Sequence, residues 1–132
     1  ELDYSNLVTQ DTMIIADPEQ MKRVINNIIS NSVKYMDKPK GKIDIRLLDE
    51  VDSVRIEIED NGKGIAAKDL PLIFERFYRT DASRNSSQGG SGIGLSIVKK
   101  IIEDHGGYIW ATSKEGEGTC MHFVIRKYQG HE

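Results

Sequence analysis

Ile43, Ile45 and Leu47 alternate with Asp44 and Arg46. Beyond the polar stretch Asp49 to Ser53, Val54, Ile56 and Ile58 alternate with Arg55, Glu57 and Glu59. Side chains two residues apart emerge on one side of an extended strand, so each run predicts a strand with one buried and one wet face. The short connection makes the two runs an antiparallel hairpin. Its apolar face needs a cover, and two helical segments in the chain are suited to that task.

Asp17 predicts the cap of the first helix, with Pro18 at its first position and Gln20 at its third. Met21, Val24, Ile25, Ile28 and Met36 recur at helical spacing and are expected to face the core. The second helix is expected from about Ile93 to Asp104, burying Ile97, Val98, Ile101 and Ile102 and stopping at Gly106-Gly107. Tyr108 to Ser113 and Thr119 to Lys127 predict a closing hairpin through Glu115-Gly116-Glu117-Gly118. Met13 to Ala16 reads as a short strand, with a weaker one near Glu1 to Asn6. Hairpins with helices between them predict an α+β fold, a mixed and largely antiparallel sheet with helices on one face.

A length of 132 residues suits one domain with one core, residues 1–132. The chain opens on Glu1 rather than Met, which suggests a piece of a longer protein. Net charge is −3, and no stripe of Lys and Arg interleaves with aromatics, so nucleic acid is not an expected partner. No apolar run approaches ~18 residues and no signal peptide is visible, so the chain is not expected to touch a membrane. Cys120 is the one cysteine and cannot form an internal disulfide; an inert, half-buried thiol is expected.

Three groups of residues carry chemistry. Asn27, Asn31 and Lys34 fall on one stripe of the first helix. Asparagine is a mediocre helix former, so two on one face need a reason. Amide oxygens can ligate Mg²⁺, which shares oxygen ligands with substrate phosphates, and Lys34 adds a point charge; a solvated polar face is the competing reading. Asp60 ends the second strand run and enters Asn61-Gly62-Lys63-Gly64. Its carboxylate suits a hydrogen-bond donor such as the exocyclic amine of adenine, whereas guanine offers a carbonyl there; a plain Asp-Asn-Gly turn is the alternative. Gly89 to Ser96 opens the second helix, and helix N-termini attract anions. Lysine is missing where a P-loop requires it, and the glycine spacing fails the dinucleotide fingerprint. A flexible linker is the alternative for this segment. Phe74, Phe77 and Tyr78 read as packing residues, while Arg76 and Arg79 are candidates for a site. Arg79 to Gly92 is polar and glycine-rich, as mobile functional loops often are. Neither a histidine pair with metal spacing nor a Ser/His/Asp set is visible. Together the three groups describe a nucleotide site, with ATP the expected ligand.

In this order the motifs resemble the ATP-binding catalytic domain of sensor histidine kinases, within the wider group of DNA gyrase, the heat-shock chaperone and the mismatch-repair ATPases. Asn27 to Tyr35 is similar to that family's N box, Asp60 to Ile65 to its G1 box, and Phe74 to Arg79 to its F box. Gly90 to Leu95 is similar to its G2 box, and Gly116 to Thr119 to its last glycine turn. The resemblance covers Met13 to Ile125. It implies the Bergerat-type two-layer α/β sandwich with about three helices, and Mg-ATP under a lid at residues 80–90. Asn27 and Asn31 would hold Mg²⁺, with Lys34 on the phosphates, Tyr35 near sugar and base, and Arg79 assisting the γ-phosphate. Asp60 would read adenine, Gly62, Gly64 and Ile65 would shape its pocket with Thr119, and Gly90, Gly92, Ile93, Gly94 and Leu95 would lie at the phosphates.

The resemblance further implies transfer of the γ-phosphoryl group to a histidine on a separate helical hairpin of a homodimeric parent kinase. A response regulator would lie downstream. The domain would be cytoplasmic and its parent membrane-anchored. A self-contained ATPase, a serine kinase acting on a regulatory partner and a non-catalytic nucleotide module are the other readings. The ATPases of the group carry a glutamate base where this chain has Asn27, and an amide cannot take a proton at neutral pH. That favours transfer over hydrolysis.

Overall fold

The computed structural model describes residues 2–7, 17–75 and 94–127, the first of these in backbone only. Its elements are β1 (Leu2–Leu7), α1 (Pro18–Lys34), β2 (Ile43–Asp49), β3 (Ser53–Asp60), a 3₁₀ turn (Leu70–Leu72), α2 (Gly94–Asp104), β4 (Tyr108–Lys114) and β5 (Gly118–Arg126). The strands form one five-stranded sheet in the order β1-β2-β3-β5-β4. β1 runs parallel to β2, and every other pairing is antiparallel. This is the expected α+β layering of helices on a mixed sheet. Two α-helices and the 3₁₀ turn stand among the described residues, where about three helices were expected. The strand expected at Met13 to Ala16 and the lid expected at residues 80–90 lie outside the described residues.

Both expected hairpins form, and the registers of their strands set the core. Val54, Ile56 and Ile58 lie opposite Ile125, Phe123 and Met121 across the β3–β5 pair, and all six are buried. Onto this surface α1 lays Val24 and Ile28, and α2 lays Val98, Ile101 and Ile102. Met21, Ile25 and Met36 pack at the margin of this core, as does Ile97. α1 starts where its cap requires: the Asp17 carboxylate accepts from Glu19 N at 2.9 Å and Gln20 N at 3.4 Å. His105, just past the end of α2, ties the two helices together. Its Nδ1 donates to Ile101 O at 2.7 Å and its Nε2 accepts from Asp17 N at 3.1 Å. No described helix is long and apolar enough to cross a membrane.

The sheet's other face carries charge and rings instead of helices. Arg46 bonds Glu57 at 3.1 Å and Glu59 at 2.9 Å, and Glu57 also meets His122 Nδ1 at 2.9 Å. Trp110 stacks on His122 at 4.9 Å and 3°, and Tyr108 on Trp110 at 5.4 Å. These long side chains arch over β5, so Cys120 is 6% exposed, more buried than the half-buried thiol expected. Burial and the neighbouring carboxylates push its thiol up to about 12, so the sulfur is inert near neutral pH.

Burial alone would raise the Glu57 carboxyl, but the hydrogen bonds from Arg46 and His122, with their charges, hold it below the usual carboxylate range. A carboxyl lowered by folding stabilises the native state above its unfolded pKa and loses that contribution as pH falls through its folded one. Denaturant titrations from pH 7 downward should show stability falling below about pH 4.5, the ordinary Glu range. Glu57→Gln should be less stable at pH 7 and should fall less steeply with acid. Equal acid slopes in the two proteins would show that Glu57 carries no such linkage.

Candidate functional site

The polar stripe on α1 survives folding as a half-buried strip beside the core. Val24, Ile28 and Ser32 take the inward positions, which leaves Asn27 and Asn31 half-buried and Lys34 exposed at the helix end. Neither asparagine side chain has a hydrogen-bond partner among the described residues. Two half-buried amides left open on one stripe are what an oxygen-seeking ligand requires. Tyr35 caps the helix, its N–H donating to Asn31 O at 3.2 Å. Lys34 Nζ and Lys63 Nζ both lie near the Tyr35 ring, at 5.6 and 5.5 Å from its centroid. Two cations are thereby gathered at the end of the stripe, which favours an anionic ligand there.

Asp60 closes β3, opposite Thr119 in the β3–β5 register. Its Oδ1 accepts from Gly62 N at 2.9 Å and, at a longer 3.3 Å, from Thr119 N. That Oδ1 is therefore committed to the backbone. Among the described residues no donor reaches Oδ2. The following turn is wedged between two neighbours. Lys63 N donates to Tyr35 O at 3.2 Å, and Gly116 N to Lys63 O at 2.7 Å. Gly62 is buried against Tyr35, and a Cβ there would stand 2.8 Å from Tyr35 O. Gly64 adopts φ +76°, and a Cβ would overlap the Lys114 carbonyl oxygen.

Two residues with no signal of their own complete the turn. Ser113 Oγ accepts from Ile65 N at 2.7 Å, donates to Gly118 O at 2.8 Å and lies 3.0 Å from Thr119 Oγ1. A hydroxyl has one proton, so Thr119 is the donor between the two hydroxyls. Asn61 docks the turn on the chain before β2, bonding Lys42 N at 2.8 Å and Lys40 O at 3.1 Å. Its place within Asp-Asn-Gly explains why it reads as a simple turn residue. Ser113 sits at an inward position of β4, and only that alternation could have pointed to it.

Tyr35, Asp60, Gly62, Gly64, Ile65 and Thr119 are thus brought together at one end of the sheet. α1 and α2 pack against each other. Gly94 is the first residue of α2 and exposed, and Leu95 packs against the core. Arg79, Gly90, Gly92, Ile93, Arg76, Phe77 and Tyr78 lie outside the described residues.

Residues 16–129 match the model of the histidine kinase-, DNA gyrase B- and HSP90-like ATPase family. The chain belongs to that family. It is 40% identical over 123 residues to the sensor histidine kinase WalK of Bacillus subtilis (strain 168), covering 91% of this chain and 20% of that protein. The chain therefore spans about one fifth of that relative's length. Among solved structures it resembles a mycobacterial sensor histidine kinase, MprB, at 30% identity and TM-score 0.80, over 96% of this chain and 84% of that one. It likewise resembles the catalytic domain of histidine kinase ThkA at 31% identity and TM-score 0.79, over 96% and 78%.

A second cluster of donors in this ATPase domain has a different character. Atoms of Glu57, Cys120 and His122 lie within 4.8 Å of one another on the outer sheet face. Arg46 already serves as their cation, bonded to Glu57 and 3.7 Å from Cys120 Sγ. With the thiol pushed up to about 12, this donor set suits an internal ion-pair network better than a metal.

The wedged turn yields a stability prediction. Gly64→Ala must adopt a left-handed backbone and overlap Lys114, whereas Gly116→Ala at φ +85° meets open space. Urea unfolding should show Gly64→Ala losing about 1–3 kcal/mol more than Gly116→Ala. Equal losses would mean that the contact with Lys114 is not tight.

Proposed function

We propose that this domain binds Mg-ATP and donates the γ-phosphoryl group to a histidine on a separate phosphoacceptor hairpin in two-component signalling. The observation that carries the reading is the Asp60 carboxylate, whose Oδ1 is held by two backbone amides while no donor among the described residues reaches Oδ2. A carboxylate fixed in that way can accept from the 6-amino group of adenine and repels the 6-carbonyl of guanine. The other end of the ligand would lie along α1. Asn27 and Asn31 suit Mg²⁺ because their half-buried amides lack partners among the described residues, and the ion would neutralise phosphate charge when bound. Lys34 would hold the phosphate chain and Tyr35 would border the sugar. Gly90, Gly92, Ile93, Gly94 and Leu95 would lie at the phosphates, with Arg79 on the leaving γ-phosphoryl under a lid at residues 80–90.

In the transfer, an imidazole nitrogen of the acceptor forms a bond to the γ-phosphorus as the bond to the bridging oxygen of ADP breaks. Little covalent help is required of this domain; its residues position the triphosphate and balance its charge. Asn27 supports transfer rather than hydrolysis, because no carboxylate base stands at that point of α1 to activate water. The acceptor hairpin, the homodimer that presents it and a response regulator downstream would be the partners, in a parent kinase anchored in the membrane.

Two measurements test this. Mixed with Mg-ATP and an acceptor hairpin, the domain should produce acid-labile phosphohistidine on the hairpin and should not label itself. Phosphate released to water without a labelled hairpin would favour the ATPase reading. By calorimetry, Asp60→Asn should weaken ATP binding by roughly 1–3 kcal/mol, as loss of a charged hydrogen-bond acceptor predicts. Unchanged affinity, or equal affinity of the unaltered domain for GTP, would remove Asp60 from base recognition.

A further inference from the structure

We propose that Lys38 is a positioning residue for base selectivity, a side chain that holds the Asp60 turn in place for reading a purine; this rests on the ATP-binding reading above. Lys38 lies in the connection between α1 and β2, within Asp37-Lys38-Pro39-Lys40, a run that otherwise looks like solvated charge. Its ammonium bonds Gly62 O at 3.0 Å, Gly116 O at 3.0 Å and Asp37 Oδ1 at 3.1 Å. An ammonium has three N–H groups, so all three are engaged. Lysine side chains lose much rotamer freedom when fixed, and this one is fixed on two backbone carbonyls from separate turns.

Those two turns are the ones on which Asp60 depends. Gly62 supplies the nearer amide on Oδ1, and its own carbonyl is held by Lys38. Gly116 belongs to the turn leading into β5, whose Thr119 supplies the second amide. Gly116 also donates to Lys63 O at 2.7 Å, so the residue is held at both its N–H and its carbonyl. Lys38 is thus a clamp joining the α1–β2 connection, the Asp60 turn and the β4–β5 turn. Without the ammonium, both carbonyls can turn to water and the two turns can move apart. The Oδ1 anchors then shift, and the direction of Oδ2 shifts with them. Selectivity should suffer more than affinity, because the phosphate end of the ligand contacts other residues.

The test compares ATP with inosine triphosphate, which replaces the 6-amino group by a carbonyl. Binding of each to the full chain with Mg²⁺ is measured for the unaltered protein and for Lys38→Met, Lys38→Gln and Lys38→Arg. The ratio of ATP to inosine triphosphate affinity should drop about fivefold or more in Lys38→Met and by less in Lys38→Gln. Lys38→Arg, which still donates, should stay within about twofold of the original. In an Asp60→Asn background the Lys38→Met substitution should leave the ratio unaltered, as coupling through one carboxylate requires. A general loss of stability would lower both affinities and spare the ratio. An unchanged ratio in Lys38→Met overturns the inference; should that variant not fold, an unchanged ratio in Lys38→Gln does so. Failure of the unaltered protein to bind ATP at all would instead overturn the ATP-binding reading.

Discussion

The antiparallel pairing of β3 with β5 is the constraint from which the remainder of the molecule follows. One register sets Ile56 against Phe123 on the core side and Glu57 against His122 on the outer side. The same register ends with Asp60 beside Thr119, which gives the carboxylate its second backbone anchor. A slip of one residue would exchange the two faces of either strand and put charged side chains under the helices. Core, outer ion-pair network and Asp60 geometry therefore stand or fall as one arrangement. The helices contribute by covering the apolar side, and no residue of either helix bonds the Asp60 carboxylate among those described.

Periodicity made much of this fold legible. Val54, Ile56 and Ile58 alternate so cleanly with charged residues that strand, buried face and hairpin all follow from local sequence. Asp17-Pro18 marks the start of α1 for equally local reasons, a side-chain acceptor followed by a residue with no N–H to satisfy. The placing of β5 between β3 and β4 is a different matter. Pairing between strands distant in sequence leaves no local trace, and the nearly continuous apolar run of β5 says only that both its faces are covered. What covers its outer face is a set of arching arginine, glutamate and aromatic side chains. Each of these looks, in sequence, like an ordinary exposed strand position. His105 is similarly opaque. It reads as a residue suited to a helix C-terminus, while its bond to Asp17 N depends on how two helices lie against each other.

The candidate site divides along the same line. Residues with unusual chemistry for their position, such as Asn27, Asn31 and Asp60, stand out because helix and strand statistics disfavour them where they are. Gly62 and Gly64 follow Asp60 in a turn that reads in sequence equally well as a plain Asp-Asn-Gly turn, and only their close approach to Tyr35 and Lys114 shows why a Cβ is excluded. Ser113, Asn61 and Lys38 do not stand out at all. Serine at an inward strand position, asparagine in a turn and lysine in a charged run are each ordinary. Their roles come from neighbours supplied by other parts of the chain.

Placement of the carboxylate between two strands also bears on motion. β5 has neighbours on both sides and is buried for most of its length, so its amides should be among the last to open when the protein fluctuates. A carboxylate anchored to such a strand keeps its aim while less protected parts of the domain breathe. On the proposed reading of Asp60, a ligand could then enter and leave through local opening elsewhere, with no need to rebuild the carboxylate's geometry on each cycle.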